Sequence, residues 1–446
     1  MIPAKADQKA VFLDQVLVGR LFSPHVQVGD ALRSRAAKGK QSMYDVIIVG
    51  ARCAGSPLAM LMAKEGAHVL LVDRATFPRD IPHGHFIHRH GPRRLKNWGL
   101  LDKVAARTPS ITNMILDLGD FPLLARNLVE DGVAWGYGPR RTTLDKILVD
   151  AAVNGGAELR EGFSVDNYVF DDGKMVGIRG RGPNGREVVE RGTITIGADG
   201  RNSKLARTVE ASVYNHVPPI LCYYFSYWSG VEAEDFELYV RNEHRVVIFA
   251  FKTENDLFVI FVGMPMEELT QIRRGLEDSF TRAIEVVPQF AERVRAGHRE
   301  EGFYGASDLP NFYRKPYGPG WALVGDAGLH KDPFLALGIC DALRDVEFLA
   351  SAIGDGLAGR LTMLEALARY ETRRNEASAL DYEENLTAAR FTPFPPELLA
   401  LRAAVRKRPE EATRLIKARQ GMIAKDEFFN PQNVQRLLGL GQSASM

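Results

Sequence analysis

At three places in this chain an apolar strand gives way to glycine and acid, and together those residues have the chemistry to hold a phosphorylated dinucleotide. The first is Gly50-Ala51-Arg52-Cys53-Ala54-Gly55, directly after the run Val46–Val49. A strand, a glycine turn and a small-residue helix start present helix N–H groups to a pyrophosphate. Arg52 stands where the usual G-x-G-x-x-G pattern has its middle glycine, so its side chain is expected to point away from the phosphates, toward the adenine end. Asp73 closes the strand AHVLLVD, with Arg74 beside it, about where a ribose hydroxyl needs an acceptor. Asp199-Gly200 follows TITIGA, and Gly325-Asp326 follows WALV. An acid at a strand end can accept from a sugar hydroxyl at the carboxyl edge of an open sheet. It can equally cap a helix or build an Asp-Gly turn.

Other residues carry weaker signals. His83, His85, His88 and His90 lie within one short stretch, HGHFIHRHG, out of ten histidines in the chain. Imidazoles suit a metal, but no cysteine or carboxylate cluster accompanies them, so no metal is expected. The interleaved Phe86 and Ile87 point to a buried extended segment leading into a helix. Arg141 opens the helix RTTLDKILV, in a place suited to bidentate phosphate recognition. Pro333 and Gly338 introduce an amphipathic helix from about Ile339. Tyr223, Tyr224, Phe225, Tyr227 and Trp228 crowd one strand, whose alternation puts Tyr223, Phe225 and Tyr227 on a single face. That face serves packing, or it lines a cavity for a planar or largely apolar molecule.

In order and spacing, the glycine turn, the Asp199-Gly200 motif and the Gly325-Asp326 motif resemble the para-hydroxybenzoate hydroxylase class of FAD-dependent (group A) monooxygenases. Geranylgeranyl reductases and flavin halogenases share that superfamily, and the resemblance runs from about Tyr44 to about Ala350. It implies a Rossmann-like α/β FAD-binding domain with an inserted β-sheet substrate domain and a helical C-terminus. It implies FAD held by Gly50, Arg52, Cys53, Ala54, Gly55, Asp73, Arg74, Arg141, Asp199, Gly200, Gly325 and Asp326. It further implies that Gly338 and Ile339 meet the flavin N1 and C2 carbonyl, where a helix end favours negative charge by about 0.3–2 kcal/mol. His85, His88 and Pro333 would lie near the flavin and substrate, the histidines otherwise being satisfied structural ones.

The activity so implied begins with NAD(P)H reducing FAD. O2 then adds at flavin C4a, and the hydroperoxide delivers one oxygen atom to an electron-rich, aromatic small molecule. A C=C reductase of the geranylgeranyl reductase type would use the same three motifs. Halogenation fits less well, because the W-x-W-x-I-P element of that branch is absent and Trp98, Trp135, Trp228 and Trp321 are isolated. A binding protein of the same fold without turnover is the reading outside enzymology, and retention of Asp199 and Asp326 speaks against it.

These residues need elements to position them. Alternating strands and helices place the FAD-binding domain over 43–115, 138–210 and 301–361. Strands ILCYYFSYWSG, FELYVRN, HRVVIFAFKT and DLFVIFVGMP, then one helix EELTQIRRGLEDSFTRAIEVV, form a substrate domain over 211–300 with a contribution from 116–137. A long helix opens a C-terminal helical region over 362–446. Residues 1–42 look like an extension outside the core fold. With 446 residues, 45% of them hydrophobic and 25% charged, the chain can bury one large core and a smaller one. A net charge of +1 gives no case for nucleic acid or an anionic membrane. Three scattered cysteines exclude a disulfide scaffold and a C-x-x-C redox pair, and the cytoplasm is the expected compartment. No apolar run reaches spanning length.

Overall fold

The computed structural model describes residues 43–81 and 83–439. The extension expected over 1–42 lies outside the described residues. Four strands of the chain, β1 (Tyr44–Val49), β2 (Val69–Val72), β3 (Glu158–Arg160) and β4 (Glu187–Gly197), run parallel with a fifth, β5 (Trp321–Leu323). Their spatial order is β3-β2-β1-β4-β5. Val46–Val49 of β1 and the whole of β2 read as unbroken apolar runs because both faces of the sheet are covered. Ile48 faces one side and Ile47 the other, both fully buried. Burial of such a side chain contributes about 1.5–3 kcal/mol.

The side of Ile48 is packed by three helices, α1 (Gly55–Lys64), α2 (Arg141–Asn154) and α3 (Gly338–Leu357), through residues such as Leu58, Leu148 and Val346. The side of Ile47 is covered by antiparallel strands Ser164–Asp171 and Lys174–Arg181, which extend the same sheet from β4. Strand order reverses between β1 and β4, and an open α/β sheet offers its ligand crevice at the carboxyl ends on either side of that reversal.

A second sheet is built from Leu221–Ser229, Phe236–Arg241, Val246–Lys252 and Phe258–Pro265, all antiparallel to their neighbours. Met114–Asp117 joins it parallel to Phe236–Arg241, so the short upstream contribution begins slightly before the expected position 116. The expected single helix over 267–287 is in fact broken. It forms Leu269–Arg274 and Leu276–Glu285, separated by Gly275 at φ −145°, ψ 65°. Glycine has little preference for the helix, and the turn it makes lets Phe280 and Ile284 reach the sheet. Cys222 and Tyr224 point to those helices, and Tyr223, Phe225 and Tyr227 to the opposite face.

That opposite face is closed by the end of the long helix α4 (Met363–Ala389), through Ala389, and by helices that each begin at a proline, among them Pro396–Val405 and Pro409–Arg419. Proline is suited to the first helical position, where its missing N–H costs nothing. Among the described residues, no helix is long and apolar enough to cross a membrane.

Candidate functional site

The carboxyl ends of β1, β4 and β5 are tied together in register. The Ala198 N–H donates to the Val49 carbonyl (2.8 Å), and the Val324 N–H to the Gly197 carbonyl (3.0 Å). Gly50, Asp199 and Asp326, separated by up to 276 positions in the chain, therefore stand side by side along one crevice. Gly50 has φ 106°, and a Cβ there would lie 2.4 Å from the Ala198 carbonyl oxygen. A Cβ on Gly55 would lie 1.8 Å from the Gly50 carbonyl oxygen, so both ends of the first motif must be glycine. Asp73 fixes this turn, accepting the Ala51 N–H at 2.7 Å and the Ala75 N–H at 2.8 Å. Each carboxylate oxygen has a second lone pair, which leaves capacity for a ligand hydroxyl. Arg74 is exposed.

The Asp199 segment is half structural. Its Oδ2 accepts the Lys204 N–H at 2.7 Å and opens the short helix Lys204–Thr208, whose N-cap is Ser203, while Oδ1 is buried without a partner. Burial raises the Asp199 pKa against the pull of these hydrogen bonds. Gly200 sits at φ 77°, as an Asp-Gly turn requires. Ser203 is fully buried and accepts the Ala206 N–H at 3.0 Å. Ser203→Ala is expected to lower stability by about 1 kcal/mol, measured by urea denaturation; an unchanged midpoint would refute the cap.

Arg52 turns away from the start of α1 toward α2. Its guanidinium crosses to α2, meets Asp145 at 2.5 Å and lies 5.4 Å from the Phe77 ring. Asp145, which has no exposure, also takes Nη2 of Arg141 on both oxygens (2.9 and 3.1 Å) and the Cys53 thiol at 3.5 Å. The long side chain in place of the middle glycine thus ties the turn to the helix behind it. Burial pushes the Cys53 thiol up to about 12, so it serves here as a neutral donor. Two guanidiniums share one carboxylate, which leaves positive charge beside the glycine turn. Asp145 was not among the expected site residues, although the spacing from Arg141 places it one helical turn along the same face.

His85 and His88 are both buried. The His85 Nδ1 lies 3.2 Å from the Gly138 carbonyl, which makes it the protonated nitrogen, and Nε2 accepts from the Tyr227 hydroxyl at 3.0 Å. His88 donates from Nε2 to the Leu335 carbonyl at 3.1 Å, and its Nδ1 is buried without a partner. Burial, with Arg140 beside His85 and Arg89 beside His88, pulls both down to about 3, so both are neutral at ordinary pH. Neither titrates where an acid or base would be useful. His83 is different in its surroundings: after burial, its pKa is set by Arg141, Asp326 and Arg201, residues of the crevice itself. Among the described residues no three ligands converge for a metal ion.

The sheet reaches the crevice through its tyrosines. Phe225 stacks on Phe261 (4.3 Å) and Tyr304 (5.1 Å), whereas the Tyr223 hydroxyl donates to Asp332, the residue before Pro333. Asp332 is nearly inaccessible, and Asn311 and Asn385 hold its backbone. Burial lifts its carboxyl to about 7, against the Tyr223 and Phe334 donors. The segment then turns through Pro333–Leu335 and Ala336, at φ 52°, into α3. Neither motif nor periodicity distinguished Asp332; only its contact with the second sheet does.

A flavin dinucleotide fits this arrangement. α1 begins without a side-chain cap or an acid in its first turn, leaving its N–H groups for phosphate. A Cβ on Gly200 or Gly338 would meet nothing within 4 Å, so there is open space at the Asp199 turn and at the start of α3. Asp326 is half-buried at the end of β5.

A family model described as an FAD binding domain matches residues 43–380. Digeranylgeranylglycerophospholipid reductase 2 of Methanothermobacter thermautotrophicus is 26% identical over 352 residues, spanning 77% of this chain and 86% of that protein. The myxobacterial chondrochloren halogenase CndH, 19% identical, covers 90% of this chain and 96% of its own with a TM-score of 0.71. PqsL of Pseudomonas aeruginosa, solved in complex with 2-aminobenzoylacetate, is 21% identical, covers 78% and 96%, and has a TM-score of 0.68.

Proposed function

The chain belongs to the FAD binding domain family, and from that premise we propose that it is a monooxygenase using NAD(P)H and O2 to hydroxylate an aromatic or other electron-rich small molecule. Bound flavin would supply the exchange of electrons with NAD(P)H and O2. The observation that carries the reading is the meeting of two halves. One is a crevice bounded by Gly50, Asp199, Asp326 and the start of α3, and the other is a sheet whose aromatic face is hydrogen-bonded to the loop entering α3.

In this reading the N–H groups of Cys53, Ala54 and Gly55 take the pyrophosphate, with charge from Arg52 and Arg141 behind them. Asp73 accepts from the ribose and Asp326 from the ribityl chain. The N-terminal turn of α3, from Gly338 and Ile339, favours negative charge at the pyrimidine edge. Tyr223, Phe225 and Tyr227, buried on the face that the C-terminal helices close, keep water out of the substrate side of the crevice. His85 and His88, both neutral, hold the loops around it and do not move protons. Three free, buried cysteines without a disulfide accord with a cytoplasmic protein.

Asp326→Ala tests the cradle. The carboxylate is half-buried, outside the core, so circular dichroism and thermal unfolding of the flavin-free protein should be unchanged. A hydrogen bond to a charged group contributes about 1.5–3 kcal/mol, so FAD affinity should fall about 10- to 150-fold, read from the visible spectrum and flavin titration. Full flavin retention would sink the assignment. O2 uptake coupled to product from a panel of phenols and anilines tests the reaction. Product without O2 uptake would instead favour the C=C reductase reading, which the likeness to the Methanothermobacter enzyme supports.

A further inference from the structure

We propose that an open groove on the outer side of α2 docks the phosphates of the reduced nicotinamide dinucleotide. The inference rests on the reading of the chain as an NAD(P)H-driven flavoenzyme. The groove has a volume of about 710 Å³ and runs between the loop at Pro78 and Asp80, the residues Lys103 and Arg107, the first turns of α2, and Glu254 and Asn255 in the turn between two strands of the second sheet. That volume lies in the range of ligand sites, roughly 300–1,000 Å³.

The groove is separate from the flavin cradle by helical geometry. Thr142, Thr143, Lys146 and Ile147 line it, whereas Arg141, Leu144, Asp145 and Leu148 are buried on the face turned to the glycine turn. One helix therefore serves both places with opposite sides.

Charge selects the occupant. Lys103, Arg107, Arg140 and Lys146 stand against two carboxylates, Asp80 and Glu254. Glu254 is already engaged, accepting the Arg140 N–H at 2.7 Å and the Thr143 hydroxyl at 2.8 Å. Arg140 is clamped by Glu301 at 2.5 Å and Asp80 at 3.3 Å, and Lys146 is paired with Asp150 at 2.5 Å. Lys103 and Arg107 are exposed and form no ion pair among the described residues. Two uncommitted cations on the rim of a nucleotide-sized groove suit a phosphate group. At the inner end the Arg140 guanidinium lies 4.1 Å from the Tyr227 ring centroid, and the Tyr227 hydroxyl bonds His85. A dinucleotide anchored at the rim would direct its other end to this boundary between the aromatic sheet and the crevice, which is where a hydride donor must enter.

The test uses the FAD-loaded full chain, with NADP⁺ and NAD⁺ as probes that occupy the site without reducing it. Charge reversal of both rim residues, Lys103→Glu with Arg107→Glu, should weaken NADP⁺ binding at least tenfold by calorimetry. It should also flatten the salt dependence of binding while flavin content stays unchanged. A larger loss for NADP⁺ than for NAD⁺ assigns the rim to the 2′-phosphate, and an equal loss assigns it to the pyrophosphate. Arg186→Glu, an exposed charge outside the groove, should bind as the parent does. If the parent binds either probe and the double variant binds it equally well, the groove is not the site and the NAD(P)H reading survives. If the parent binds neither probe and neither NADPH nor NADH bleaches its flavin, the electron-donor reading fails and this inference falls with it.

Discussion

Asp145→Ala is expected to cost about 3–5 kcal/mol of folding stability, the range for removing one partner of a buried ion pair. Asp145 has no exposure and joins Arg52, Arg141 and Cys53. Without it, Arg141 would be an uncompensated charge inside the core between α2 and the glycine turn. Arg52 is less dependent, since 23% of its side chain is exposed and can turn to water. Arg52→Ala alone should therefore cost only about 1 kcal/mol, and the two losses should not add, because they share a partner. Urea unfolding of the flavin-free protein measures both. Should Asp145→Ala not accumulate as folded protein, Asp145→Asn, which keeps an acceptor, provides the intermediate case. A loss below 1 kcal/mol for Asp145→Ala would show that this cluster is incidental.

Asp332 should make the protein less stable as pH rises from 5 to 8, and Asp332→Asn should remove that dependence. Burial lifts the folded-state carboxyl to about 7, while in the unfolded chain it titrates in the ordinary range near 3.8. The folded state then binds the proton more tightly than the unfolded state. Its contribution is complete below the unfolded pKa and is lost as pH climbs through about 7. At 1.36 kcal/mol per unit the whole effect is about 4 kcal/mol, of which about 2–3 kcal/mol falls between pH 5 and 8. Asp120, Asp235 and Glu301, whose pKa values are held down by Arg402, Lys252 and Arg140 against burial, act in the opposite sense at lower pH. The comparison of parent with Asp332→Asn cancels their share. Parallel stability curves for the two proteins over this window would exclude a raised Asp332.

Much of this site can be read from local pattern because strands, turns and helix starts are local. A strand covered on both faces must be an unbroken apolar run, as Val46–Val49 and Trp321–Val324 are, and the residue after it must turn. Thus the positions of Gly50, Asp73, Asp199 and Asp326 at strand ends, and the alternation that turns Tyr223, Phe225 and Tyr227 to one side, followed from residue types alone.

Whether those strand ends are neighbours is a matter of sheet order, which pairs Val49 with Gly197 and Gly197 with Leu323 through hydrogen bonds that no local pattern specifies. The same holds for the direction of Arg52. Its place at the middle glycine of the turn shows that the side chain must leave the phosphate path, but its partner Asp145 lies 93 positions away on a helix that only tertiary packing brings alongside. The neutrality of His85, the raised carboxyl of Asp332 and the break at Gly275 have the same origin. Each depends on what is buried around the residue, and burial is a property of the assembled chain.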